Sequence, residues 1–128
     1  MATQIVILNG DFIKIDDSFH INWADKGNAM AALPSTIHAV IWNSLPGQNE
    51  IQNKDASTGN MTGNTNLSAT SDAVGSTTVA ALLTWGETRK GQIEAAQSAY
   101  NTAVADDEAN GTSNAAGKTW IDYDSNYS

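Results

Sequence analysis

The chain has 128 residues, six Lys/Arg against fourteen Asp/Glu, a net charge of −8 and no cysteine. That length allows one domain, with or without an extension, and the missing thiols exclude disulfides and thiolate metal sites. An acidic chain whose six positive residues are scattered is a poor match for nucleic acid or an anionic membrane.

Leu, Ile, Val and Phe are sparse and unevenly placed, concentrated in residues 1–54 and thin over residues 55–128. The front is therefore expected to hold the core, and the back to complete its fold on something else. The start of the chain has neither a basic n-region nor a long apolar stretch, so no signal peptide is expected. No window approaches the roughly 18 apolar residues that span a bilayer. The chain reads as one made soluble in a cytoplasm.

Residues 3–8 form an apolar, β-branched run. Asn9-Gly10 follows, then Phe12, Ile13 and Ile15, a strong hairpin signal. Asp16-Asp17-Ser18 reads as the next turn. Phe19, Ile21 and Trp23 alternate with His20 and Asn22, the period of a strand with one buried face. Residues 24–28 read as a loop and residues 29–33 as a short helix that stops before Pro34.

Residues 37–42 form the next strand, with Ile37, Ala39 and Ile41 on one face and His38, Val40 and Trp42 on the other. Apolar residues on both faces predict a central or doubly covered strand. Leu45-Pro46-Gly47 makes a turn, and residues 50–52 pair back. The front half thus predicts a four- or five-stranded antiparallel β meander, residues 1–54.

Most positions from 55 to 78 are Ser, Thr, Asn or Gly, which predicts a flexible segment. Residues 79–109 carry the one long helix, with Ser76, Thr77 or Thr78 as cap. Its thin stripe is Leu82, Ile93, Ala96, Tyr100 and Ala103. Gly86 and Gly91 each cost about 1 kcal/mol relative to Ala, so a break near them is expected. The acids Asp106, Asp107 and Glu108 sit at the wrong end for the helix dipole, which predicts fraying. Residues 110–128 form an extended tail. It packs on the chain's own sheet or adds as a strand to a neighbouring subunit. The fold class is α+β.

The chemistry-bearing residues form no recognisable catalytic, cofactor or metal site. Gly111 and Gly117-Lys118-Thr119 resemble a P-loop, but five residues separate the glycines where four are required, and no strand precedes them. His20 and His38 lack any metal-ligand spacing. Asp11, Asp16 and Asp17 lie at turns and do not follow a calcium-loop pattern. No strained Gly-x-Ser-x-Gly turn presents a nucleophile, so no enzyme is expected. Trp23 and Trp42 read as core or sheet-face residues. Trp85, Tyr100, Trp120 and Tyr123 lie in weakly apolar surroundings and read as interface anchors.

The run from Met30 through Leu33-Pro34, Ile37-His38-Ala39-Val40-Ile41-Trp42-Asn43 and Pro46-Gly47 to Glu50-Ile51 resembles the small tail proteins of bacteriophages. These include the tail-assembly group called XkdW-like. Trp85-Gly86-Glu87-Thr88-Arg89, followed by an Ala/Glu/Gln-rich helix, is similar to the end of such chains. Two departures are evident. Gln48 and Asn49 intervene where that family has Gly-Glu directly, and the polar insert is long.

The resemblance implies a phage virion structural protein of the tail, baseplate or fibre. Its partners would be other phage structural proteins or copies of itself, in the virion. It supplies no catalytic residue and no cofactor. Two alternatives are a tail-fibre assembly chaperone absent from the mature particle and a capsid decoration protein.

Overall fold

A computed structural model of the chain describes residues 3–16, 19–23, 33–43 and 49–127. Among them six strands form one antiparallel sheet: β1 (Gln4–Leu8), β2 (Phe12–Ile15), β3 (Phe19–Asn22), β4 (Ile37–Asn43), β5 (Glu50–Lys54) and β6 (Met61–Asn66). Their order is β3-β2-β1-β4-β5-β6. Two three-stranded meanders therefore meet along the β1–β4 pair. A small hairpin, β7 (Ala73–Val74) and β8 (Thr77–Thr78), leads into α1 (Val79–Asn110), and a 3-10 turn at Trp120–Tyr123 follows. The α+β class, a β meander followed by one long helix, is what the chain forms.

Alternation in the sequence sets the buried face. Ile5 lies opposite Ile15 on one side and Trp42 on the other. Ile7 lies opposite Ile13 and Val40, Ile13 opposite Ile21, and Val40 opposite Ile51. These side chains are buried in one cluster. Cross-strand β-branched pairs on one face are the unit of sheet stabilisation. A register shift between Ile37 and Ala39 brings Ile37 into that cluster too. β4 is central, as its apolar residues on both faces predict.

The first hairpin closes at Leu8 and Phe12, leaving a three-residue loop in place of the expected two-residue Asn-Gly turn. The Asn9 amide donates to the carbonyls of Pro34 (3.2 Å) and Ile37 (3.0 Å), which ties this turn to the start of β4. The expected turn at Asp17-Ser18, the loop and short helix over residues 24–32, and the Leu45-Pro46-Gly47 turn lie outside the described residues. The Asn49 side chain exchanges hydrogen bonds with the Asn43 backbone at 2.8 and 3.0 Å and extends the ladder between β4 and β5.

Residues 55–78 are not a flexible linker. Asp55 accepts from the amides of Ser57 and Thr58 and so folds the turn that sends β6 back along β5. Asp72 does the same for Ser68 and Ala69. Leu67, Val74 and Val79 then re-enter the core. At Gly75 the backbone is left-handed (φ +62°), and a Cβ there would lie 2.7 Å from the Pro34 ring. Only glycine meets both conditions.

The Thr78 hydroxyl caps α1 by accepting from the Ala81 amide. The helix runs unbroken through Gly86 and Gly91, which corrects the expected break. Gly86 is the point of close approach, since a Cβ there would meet Ile5 at 3.3 Å and Ile15 at 3.5 Å. Packing against the sheet outweighs the intrinsic cost of glycine. A helix of 32 residues is about 48 Å long, whereas six strands span about 24 Å. Burial on α1 accordingly ends at Ala96, and residues 97–110 carry no fully buried side chain.

Candidate functional site

The tail returns along α1, from its overhanging end back to Arg89. Trp85, Arg89, Ala96, Tyr100, Ala103 and Asp107 recur at multiples of three and four residues, a stripe beside the one that faces the sheet. The tail is fixed at three points along it. Arg89 Nη2 lies 2.8 Å from Asp124 Oδ2, with both side chains only 1% exposed. The rings of Tyr100 and Tyr123 meet at 5.9 Å and 60°. The Asp107 carboxylate accepts from Thr112 Oγ1 (2.7 Å) and from the amides of Asn114 (2.9 Å) and Ala115 (2.7 Å).

Asp107 resolves two expectations together. The acids near the helix C-terminus do not fray it, because Asp107 faces the following loop, not the helix's own carbonyls. That loop is the P-loop-like stretch. The amides of Asn114 and Ala115, of the type that would cradle a phosphate, already hold this internal carboxylate. These bonds keep the Asp107 carboxyl below the usual carboxylate range, the Thr112 hydroxyl first and the Ala115 amide next.

The tail is not an extended strand. Thr119 donates its amide to Asp122 Oδ2 at 2.8 Å, and this pair folds Trp120–Tyr123 into a 3-10 turn. Burial pushes the Asp124 carboxyl up, but the hydrogen bond from Arg89 and the Asn126 amide outweigh it and leave it below its ordinary value. Trp85, Tyr100, Trp120 and Tyr123 are all half-buried. Trp85 and Trp120 pack against the core cluster, and the Lys118 ammonium lies 5.8 Å from the Tyr123 ring. The tail therefore packs mainly on its own helix, with Trp120 also against the shared core, and each aromatic keeps part of its surface in solvent.

Sequence reading missed Arg89 and Asp124. A lone Arg in a polar helix reads as solvent-facing. The available signal was its place four residues after Trp85 and four before Ile93, inside an apolar stripe.

A second region is the outer sheet edge. All six residues of β6 are exposed, and Met61, at 52%, is the most exposed large apolar side chain among the described residues. On the inner side β6 pairs with β5 from Glu50–Asn66 to Lys54–Met61. Asn64 donates to the buried Glu50 carboxylate at 2.6 Å.

His20 is exposed and tilted against Phe12, with ring centroids 6.1 Å apart, and His38 is half-buried on β4. Among the described residues no group of His, Asp and Glu is arranged to hold a metal ion, and no helix is long and apolar enough to cross a membrane. No protein-family model, curated protein or solved structure matches this chain.

Proposed function

We propose that this chain is a bacteriophage virion structural protein, a component of the tail, baseplate or fibre that works through protein–protein contacts and not through catalysis. The observation that carries the reading is the resemblance of the run from Met30 to Ile51 to small phage tail proteins. Its described part forms β4 and the start of β5, near the middle of the sheet. The half-exposed aromatics Trp85, Tyr100, Trp120 and Tyr123 and the exposed β6 edge support it, because both are surfaces suited to assembly. The acidity fits a subunit that stays dispersed until it is placed.

Quantitative mass spectrometry of purified particles tests this reading. The chain is expected in the mature virion at a few to tens of copies. Its absence from the particle, together with co-purification with unassembled fibre, would make it an assembly chaperone. Hundreds of copies would make it a capsid decoration protein.

A further inference from the structure

The dipeptide Asn-Gly occurs twice, at Asn9-Gly10 and Asn110-Gly111. Such a pair readily loses its side-chain amide, because glycine has no side chain to hinder attack by its own nitrogen and its backbone turns freely. The same chemistry in two places leaves the surrounding structure to decide which site reacts.

Asn9 is held from a distance. Its backbone amide donates to the His38 carbonyl at 3.0 Å, and its side-chain amide donates to the carbonyls of Pro34 and Ile37. Turning that side chain toward Gly10 detaches the first hairpin from β4.

Asn110 is held within its own turn. It is exposed and is the last residue of α1. Its side-chain amide donates to the Asp106 carbonyl, one turn back, at 2.9 Å. The Gly111 N–H donates to the Asp107 carbonyl, which also accepts from the Thr112 amide at 3.1 Å. Freeing the Gly111 nitrogen therefore orphans no carbonyl, and a chain segment at a helix end opens at little cost.

We propose that Asn110-Gly111 is a site of spontaneous deamidation in the folded chain, and that Asn9-Gly10 is protected. The Gly111 nitrogen gives its proton to hydroxide and attacks Asn110 Cγ. The N–Cγ bond forms, the Cγ–Nδ2 bond breaks, and ammonia leaves with a proton taken from water. Water then opens the resulting succinimide at either carbonyl. One opening gives aspartate; the other gives isoaspartate, in which the main chain runs through Cγ. Nothing is oxidised or reduced.

Either product adds a negative charge beside Asp106, Asp107 and Glu108, at the end of the helix dipole that disfavours it. Isoaspartate also lengthens the main chain just before the loop that Asp107 holds through Thr112, Asn114 and Ala115. Conversion therefore loosens the tail at its root. The inference rests on the chain's own chemistry and stands whether or not the chain belongs to a virion.

Peptide mapping by mass spectrometry of the full chain, aged in mildly alkaline buffer with and without urea, tests it. Each site's rate in urea serves as its reference. In the folded chain Asn110 is expected to convert at least about tenfold faster than Asn9 on that scale, because the long-range hydrogen bonds of Asn9 must open first. Asn110→Gln, whose longer side chain closes a ring far more slowly, removes the signal. The converted chain, separated by ion exchange on its added charge, is expected to lose hydrogen-exchange protection over residues 112–124 and to keep it in β1 and β4. Protection at Asn9 no greater than at Asn110 would overturn the proposal. So would a folded chain in which neither site converts while both do in urea. Full protection over residues 112–124 in the converted chain would overturn its effect on the tail.

Discussion

Arg89 sits where an Ile or Leu would be unremarkable, on the buried side of a helix, and Asp124 comes from the tail to meet it. Removing two charges from water is costly, and a buried pair often does no better than two apolar residues of the same size. Breaking it one-sidedly leaves an uncompensated charge. Arg89→Met is therefore expected to destabilise the chain by about 3 kcal/mol, and Arg89→Met with Asp124→Leu to recover most of that loss, as read by chemical denaturation.

The pair also sets a pH dependence. Asp124 and Asp107 both hold the tail, and both carboxyls lie below the ordinary aspartate value. Such groups stabilise the fold at every pH above that value, about 3.9, and lose the contribution as pH falls through their depressed folded values. Below about pH 4 the amides of residues 111–124 should lose hydrogen-exchange protection before those of β1 and β4.

At the level of single elements, α1 holds two glycines with opposite surroundings. Gly91 faces open space, and Gly86 lies against Ile5 and Ile15. Gly91→Ala is expected to stabilise by up to about 1 kcal/mol, the helix-propensity difference. Gly86→Ala should gain less or lose, because the Ile5 methyl must give way. Thermal melts of the two variants side by side check this.

The same helix shows what sequence could and could not reveal. Its start, its end and the spacing of Leu82, Ile93, Ala96 and Tyr100 are written in local chemistry. Its continuity through Gly86 is a tertiary effect, visible only once Ile5 and Ile15 stand against it. β1 to β3 were legible because Ile5, Ile7, Ile13, Ile15 and Ile21 alternate with less buried neighbours, and β4 because apolar residues occupy both of its faces. β6 was not, because a strand exposed at every position carries no hydrophobic period. It is recruited by the Asp55 turn and by backbone pairing to β5. The tail misled through Trp120, Ile121 and Tyr123, which look strand-like until Asp122 is seen to bind the Thr119 amide.

For the whole molecule, the apolar-poor back half does not wait for a partner to fold. Leu67, Val74, Val79, Leu82, Leu83 and Ile93 complete the core over a sheet whose front half could not cover itself. The need for outside help, expected from composition, is met largely inside the chain. Surfaces that the proposed assembly role could use include the four half-buried aromatics and the β6 edge. Of the four expected anchors, Tyr100 and Tyr123 are brought together by a tail return that sequence could not predict, since Asp124 gives no sign that it pairs with Arg89.

This acidic, self-folded chain is proposed as a structural component of a phage particle, and quantitative mass spectrometry of purified virions tests that most directly. The chain is expected in the mature virion at a few to tens of copies per particle. Its absence from the mature particle would count against a structural role.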